Sequence, residues 1–384
     1  MSVAYRLVDS TAGLNRAVGE LSEQLAESDR PRLYLDTEFE SNRQGTKLCL
    51  LQVTAGSAIY LIDALRIADL TALSPVFLES EWVLHAGLQD VQLLCDALHQ
   101  KPPKRIFDTQ IAWALLSPEA SVGLSYLKYV LLQLRSEKGH QADDWVRRPL
   151  QESQLRYAAE DVAELPRLVT QLMTRATSQA RVEVIYAASR DALSPQKAPP
   201  PPLALSSLRN AWQLSPRSQA ALLYLIDWYN DLPSSVRRQA PEAKALLSIA
   251  ARCPHDVGSL GRIKGVGRGV VEKFGKTLVA GIRAAERQAT DEDFIPLDPP
   301  PYATYEEIKL DAWFGQFRAD LAVQLRCAPE FVVPGRLLKN MKAAFLVEGP
   351  PGLVASVSGW RRDFLSDWLE QYIEAHPPAT IENS

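Results

Sequence analysis

The 384-residue sequence contains only four cysteines, and no two of them form a C-x-x-C pair. This scarcity argues against a zinc site and against a disulfide-stabilised scaffold. No apolar run approaches the length of a membrane span, and the N-terminus lacks the basic-then-apolar pattern of a secretory signal. We therefore expect reduced thiols and a cytoplasmic location.

The sequence also lacks the G-x-x-x-x-G-K-[ST] phosphate loop, which argues against a role as a helicase accessory. It has no strong overall charge, since 42 Lys and Arg residues stand against 46 Asp and Glu residues. The middle of the chain differs, because residues 208–287 contain 13 basic and six acidic side chains. A basic segment within an otherwise acidic chain indicates local binding of phosphate groups.

Two proline-rich segments divide the chain into three predicted modules. Residues 1–186 have strand patterns early and helical patterns late, which predicts a mixed sheet flanked by helices. Residues 187–206 and 291–303 are predicted linkers because runs of proline favour extended and fairly stiff chain. Residues 207–290 and 304–378 have helical patterns and predict two small all-α domains.

One short segment of the first module carries two closely spaced acids. Residues 33–39 predict a buried strand, and alternation along a strand places Asp36 and Glu38 on the same face. Two carboxylates held this close repel each other unless one is protonated or a cation lies between them. Oxygen ligands suit a hard divalent ion such as Mg²⁺ or Mn²⁺. For an Asp-x-Glu pair alone, a solvated strand end is the commoner alternative.

Further candidate residues follow in two later segments. Asp90 comes after a predicted strand at 82–85 and falls in the first turn of a helix, where a helix-start acid is the structural alternative. Tyr157 and Asp161 are spaced by four residues in a predicted helix and therefore share one face. Each signal is weak by itself, and their order along the chain gives them specificity.

Together these residues resemble the DEDD superfamily of 3′→5′ exonucleases in its tyrosine subtype. The histidine subtype is disfavoured because position 156 is arginine. The surrounding sequence is similar to ribonuclease D, and a basic part of the middle module from Trp212 to Lys276 resembles the HRDC domain. The segments that carry the ribonuclease D resemblance are LDTEF at 35–39, LCLLQ at 48–52, HAG at 85–87, FDTQ at 107–110, DWVRRPL at 144–150, QLRYAAEDV at 154–162 and GWR at 359–361.

The resemblance implies a ribonuclease H-like α/β exonuclease domain followed by two HRDC-type helical domains. It implies a 3′→5′ exoribonuclease that trims extra 3′ nucleotides from tRNA precursors and other structured RNAs. It also implies two divalent ions, Mg²⁺ or Mn²⁺, and a tyrosine that positions the attacking water. The implied metal ligands are Asp36, Glu38, Asp90 and Asp161, and the implied tyrosine is Tyr157.

Substrate contacts are less specific in this sequence. Lys138 and Arg148 are candidate phosphate contacts, and surface ion pairs are the alternative for both. Lys264 and Arg268 accompany the glycine-rich run 265–269, which either presents N–H groups to a phosphate or forms a tight turn between helices. Residues 41–47 depart from ribonuclease D sequences, which usually carry an aromatic-Pro element there.

The preference for RNA rests on the resemblance alone, because no residue pattern identifies 2′-hydroxyl recognition. A DNA 3′→5′ exonuclease of the proofreading or Werner-like type is therefore one alternative. A non-catalytic nucleic-acid tether that retains the fold is another. The retention of four acids and a tyrosine argues against the tether, since mutually repelling carboxylates destabilise a scaffold that has no use for them.

Overall fold

A computed structural model describes residues 3–42, 45–135, 143–194, 202–237, 239–299 and 304–378 of the chain. The chain forms two compact units. One contains Met1–Ser41, Thr46–Lys197 and Thr304–Ser384, and the other contains Asn42–Gly45 and Ala198–Ala303. The third predicted module thus belongs to the same unit as the first, although the boundaries of the predicted domains remain predictions.

The first unit is built on a mixed sheet of six strands in the order β1-β4-β3-β2-β5-β6. Strand β1 is parallel to β4, β3 is antiparallel to β4, and β5 is parallel to both β2 and β6. The predicted mixed sheet is confirmed. The strands are β1 (Arg6–Val8), β2 (Arg32–Asn42), β3 (Gly45–Thr54), β4 (Ile59–Asp63), β5 (Glu81–Leu84) and β6 (Ile106–Asp108).

Helices flank this sheet, and the elements that the described residues form after β6 are all helices, as the sequence predicted. Helix α8 continues to Ala192, six residues beyond the predicted end of the module at 186. The helices are α1 (Thr11–Ala26), α2 (Ser74–Glu79), α3 (Leu88–Ala97), α4 (Thr109–Ala114), α5 (Leu124–Leu132), α6 (Glu152–Ala163), α7 (Leu165–Ser178) and α8 (Val182–Ala192).

The second unit is all-helical and has a hydrophobic core of its own. Leu222, Leu246 and Leu278 are fully buried in that core, and Trp228 packs edge-on against Phe274 with the ring centroids 5.2 Å apart. The helices are α9 (Pro216–Asp231), α10 (Ser234–Arg237), α11 (Ala243–Arg252), α12 (Val257–Gly261) and α13 (Arg268–Gln288).

The C-terminal helices share a core with the sheet-containing part of the first unit. Phe317 and Leu321 lie in the same cluster of buried side chains as Leu168 and Leu172 of α7. The backbone N–H of Ala328 also donates to the carbonyl of Ala114 at 2.7 Å. The helices are α14 (Tyr305–Leu325), α15 (Pro329–Val332), α16 (Gly335–Glu348), α17 (Pro350–Ala355) and α18 (Trp360–Ala375).

Candidate metal centre

Strand β2 carries the first two candidate ligands beyond its pairing with β5. The strand runs from Arg32 to Asn42, four residues longer than the predicted segment 33–39, and pairs with β5 from Arg32 to Tyr34. Leu33 and Leu35 are fully buried, and the alternate positions Asp36 and Glu38 are partly exposed on the other side. The pleat therefore presents both carboxylates on one face, at the carboxyl edge of the parallel strands.

A tight turn after β5 brings Asp90 to the same edge. Gly87 precedes α3, and a Cβ atom there would lie 2.6 Å from the Cβ of Leu84, so only glycine allows this close approach. The carboxylate of Asp108 accepts a hydrogen bond from the Gly87 N–H at 2.9 Å. Asp90 then falls in the first turn of α3 and is 8% exposed.

His85 supports this turn from inside the protein. Its ring nitrogens contact the hydroxyl of Thr109 and the carbonyl of Val122, each at 2.9 Å. Both nitrogens are thus engaged within the fold, which indicates a structural role for this histidine. The HAG and FDTQ segments of the sequence build the turn that orients Asp90.

Helix α6 supplies Tyr157 and Asp161, one helical turn apart on the same face. A hydrogen bond joins the Tyr157 hydroxyl to the Asp161 carboxylate. The helix begins with a capping box in which Gln151 and Gln154 each accept a hydrogen bond from the other's backbone N–H. This cap fixes where α6 starts and therefore where Tyr157 and Asp161 face.

Three of the four predicted metal ligands converge in the folded chain. Carboxylate oxygens of Asp36, Glu38 and Asp161 all lie within 4.8 Å of one another. Asp90 is outside this trio and is joined to it through Thr37, whose hydroxyl donates to the Asp90 carboxylate at 2.5 Å. Thr37 is the middle residue of the Asp-x-Glu segment, and sequence reasoning gave it no role.

The acids of this cluster repel one another in a buried setting. Burial raises the pKa of Asp36 well above its usual range, and the charges of Asp90, Asp161 and Glu38 add to the effect. Burial followed by the charges of Asp161 and Asp90 raises the pKa of Glu38 to about 8. Burial also raises the pKa values of Asp90 and Asp161. A divalent cation would relieve this repulsion.

Lys128 is a functional candidate that sequence reasoning missed. Its side chain is buried in α5, with its ammonium 3.6 Å from a carboxylate oxygen of Asp161 and 2.6 Å from the carbonyl of Glu160. Among the described residues, it is the one cation in an ion pair with any of the four acids. The available signal was a single lysine within the otherwise uncharged helix segment LSYLKYVLL.

Trp145 and Arg148 are engaged in contacts within the fold. The Trp145 ring is 2% exposed and packs on Tyr157 with the centroids 6.4 Å apart. The Arg148 guanidinium forms two hydrogen bonds with Asp63, at 2.6 and 2.8 Å. Its remaining N–H groups donate to the carbonyls of Cys49, Trp145 and Arg147.

These contacts favour the ion-pair alternative for Arg148, and its contact with phosphate stays a prediction. The other candidate in this region, Lys138, lies outside the described residues. In the second unit, Arg268 begins α13 and pairs with Glu272 at 2.9 Å, and Lys264 is exposed in the preceding turn. Gly265 has φ +92°, a left-handed conformation that favours glycine in this turn.

The donor set fits a hard divalent ion. Asp36, Glu38 and Asp161 provide carboxylate oxygens and no sulfur or imidazole, a set that suits Mg²⁺ or Mn²⁺. Burial raises the pKa values of these acids, and the mutual repulsion of the carboxylates adds to the effect, with Lys128 the one paired cation among the described residues. Coordination by all four acids remains a prediction.

Comparisons with known proteins agree on one kind of enzyme. A family model described as 3′-5′ exonuclease matches residues 6–176. The chain is 31% identical to ribonuclease D from Cronobacter turicensis over 371 residues, covering 89% of this chain and 94% of the relative. It is 26% identical to ribonuclease D from Escherichia coli strain K12, covering 90% of this chain and 94% of that one.

Solved structures share the fold. The crystal structure of Escherichia coli RNase D, described as an exoribonuclease involved in structured RNA processing, superposes with a TM-score of 0.72. The match covers 97% of this chain and all of that chain at 24% identity. The catalytic core of RRP6 from Trypanosoma brucei matches with a TM-score of 0.55 at 20% identity, covering 76% of this chain and 84% of that one.

Proposed function

The chain belongs to the ribonuclease D family and is a 3′→5′ exoribonuclease that uses divalent metal; from this premise we propose that it trims tRNA precursors with two ions held by its four acids. The ligands in this proposal are Asp36, Glu38, Asp90 and Asp161. Mg²⁺ and Mn²⁺ are the ions proposed.

The convergence of Asp36, Glu38 and Asp161 within 4.8 Å carries the proposal. When bound, two divalent ions activate a water and stabilise the charge that develops on the phosphodiester. The protein's part is to hold the carboxylates in place before substrate arrives. The carboxylates are held by three separate elements, namely β2, the turn at Gly87 and α6.

Tyr157 acts in this proposal as a hydrogen-bond donor. Burial and the charges of Asp161 and Glu38 raise its pKa above the usual value for tyrosine, so the phenol keeps its proton at neutral pH. A protonated phenol donates a hydrogen bond and cannot serve as a general base. We propose that this hydrogen-bond donor orients the Asp161 carboxylate and the attacking water.

A single-stranded 3′ end is the substrate form that such a site accepts, with backbone contacts and base stacking in place of sequence reading. The helical second unit, with its excess of basic side chains, is the proposed holder of the structured part of the RNA. Because both belong to one chain, binding by either raises the effective concentration of RNA at the other.

We propose that the protein is cytoplasmic. Its four cysteines are free thiols, which suits that compartment. In the described part of the chain, no helix combines the length and the apolar character that crossing a membrane requires.

The test is a cleavage assay on a tRNA precursor with an extended 3′ end, labelled at its 5′ end. We expect a ladder that shortens from the 3′ end in Mg²⁺ or Mn²⁺ and disappears with chelator. An unstructured RNA and a DNA strand of matched length serve as comparison substrates. Equal turnover of the DNA strand would contradict the RNA preference, and faster turnover of unstructured RNA would contradict the tRNA-precursor assignment.

A further inference from the structure

Three arginines surround one cavity in the second unit. The cavity has a volume of about 400 Å³, and its lining includes Arg217, His255, Arg283, Glu286 and Arg287. Arg217 belongs to the first turn of α9, and Arg283 and Arg287 belong to the last turns of α13. Residues far apart in sequence are thus brought to one concave surface, which we call the arginine cavity.

The arginines of this cavity have free donor groups. Among the described residues, none of the three forms an ion pair or a side-chain hydrogen bond, and all three are exposed. The acid that lines the cavity, Glu286, is paired with His255 at 3.2 Å. Three unpaired guanidinium groups around one concavity are an arrangement suited to phosphate oxygens, which the planar arginine fork binds in a bidentate manner.

We propose that the arginine cavity is the surface of the second unit that binds the phosphate backbone of structured RNA. The inference rests on the proposed function, because it takes RNA as the ligand of this unit. A-form RNA is recognised largely through its backbone and shape, so a cluster of arginines without base-reading groups is sufficient.

The glycine-rich turn with Lys264 and Arg268 is a different surface. Arg268 begins α13 and Arg287 is near its end, so at 1.5 Å per residue they lie roughly 28 Å apart along the helix. Arg268 is already paired with Glu272, whereas the arginines of the cavity have no acidic partner among the described residues. This difference favours the arginine cavity and supplies a matched control on the same helix.

The experiment measures binding of full-length protein to an RNA hairpin with a single-stranded 3′ tail, labelled at its 5′ end. Chelator is present so that no cleavage occurs, and the salt concentration is varied between about 50 and 200 mM, a range in which loss of phosphate contacts is visible. The variants are Arg283→Gln with Arg287→Gln, the control pair Lys264→Gln with Arg268→Gln, and Glu286→Gln. Circular dichroism checks that each variant is folded.

We expect the Arg283/Arg287 variant to bind the hairpin about tenfold more weakly and to lower the salt slope by about two, one for each lost phosphate contact. The control pair should bind as the wild type does, and Glu286→Gln should bind more tightly because a negative charge is removed from the cavity.

The proposal is overturned if that variant binds the hairpin with unchanged affinity and salt slope, or if the control pair causes the larger loss. A failure of the proposed function looks different. In that case wild-type protein leaves RNA intact in every metal condition, while the binding difference between variants measured in chelator persists.

Discussion

The acidic side chains at the two ends of the β2–β5 strand pair have opposite electrostatic environments. At the amino end, Glu81 accepts hydrogen bonds from the guanidinium of Arg32 at 2.9 Å and from the hydroxyl of Tyr186 at 2.7 Å. At the carboxyl end, burial raises the pKa of Asp36, and the charges of the neighbouring carboxylates add to the effect. The same two strands thus carry a paired acid at one end and, at the other, a cluster of repelling acids in which Lys128 is the one paired cation among the described residues.

This difference separates structural acids from functional ones. An acid with a dedicated cation, such as Glu81 with Arg32 or Asp63 with Arg148, leaves no buried charge unpaired, and removal of either partner destabilises the fold. Acids gathered without enough positive charge destabilise the metal-free protein, and that cost is offset when a divalent ion binds. Substitutions at the two ends should therefore affect stability in opposite directions.

The largest expected effect is the loss of activity in Asp36→Asn and in Asp161→Asn. Removing a ligand forfeits several kcal/mol of transition-state stabilisation, which corresponds to a decrease in kcat/KM of about a thousandfold or more. The melting temperature of metal-free Asp36→Asn should stay equal or rise, because one repelling charge is gone; Asp161→Asn is excluded from this stability comparison because Asp161 pairs with the buried Lys128. Retained activity in either variant, or a clear fall in the melting temperature of Asp36→Asn, would contradict the contrast between the two ends.

The next effect is a loss of stability at the opposite end in Glu81→Gln. This change leaves the largely buried Arg32 without its carboxylate, and we expect the free energy of unfolding to fall by about 3 kcal/mol. Denaturant titration measures this change. Activity per folded molecule should match the wild type, so a specific loss of kcat in this variant would contradict the division of roles.

The pH dependence of stability should also distinguish the two ends. Because the pKa of Glu38 is raised from 4.5 to about 8 in the folded state, the folded protein binds more protons than the unfolded chain between these values. The stability of the metal-free protein that comes from this difference therefore decreases as the pH rises from about 4.5 to 8.

Thermal unfolding in chelator tests this by comparison with Glu38→Gln, which cannot ionise. The variant and the wild type should be similar at pH 5, and the variant should be the more stable at pH 8. Saturating Mn²⁺ should stabilise the wild type and reduce the gap. A gap that does not change with pH would show that Glu38 ionises normally in the folded protein.

The smallest effect is expected from Lys128→Met, which keeps the length of a buried side chain and removes its charge. Without the ammonium beside Asp161, repulsion within the cluster increases and the metal-free protein should melt a few degrees lower. Added Mn²⁺ should then raise the melting temperature by more than it does in the wild type. Lys128→Arg serves as the conservative control, and an equal shift in all three proteins would deny Lys128 a role in charge balance.

Much of the site could be predicted because its residues lie in local patterns. Alternation along a strand placed Asp36 and Glu38 together, and helical spacing placed Tyr157 and Asp161 on one face. The mixed sheet and the helical second half of the first module also followed from periodicity. These features depend on neighbours within a few residues of each other.

Other features depended on contacts between distant segments and were not available from the sequence. For Arg148 the sequence left a phosphate contact and an ion pair open, because nothing local indicates that its guanidinium reaches Asp63, 85 residues away. The C-terminal helices were predicted as a separate module because a proline-rich linker precedes them. The core that they share with α7 arises from long-range packing, which the hydrophobic periodicity of the sequence does not indicate.

Mn²⁺ titration by calorimetry at pH 8, with chelator-treated protein, tests the central claim most directly because it requires no substrate. The account predicts two bound ions per wild-type chain and the loss of at least one in Asp36→Asn, with Glu81→Gln indistinguishable from the wild type. No binding to the wild type, or unchanged stoichiometry and affinity in Asp36→Asn, would contradict the claim that these repelling acids form a metal site.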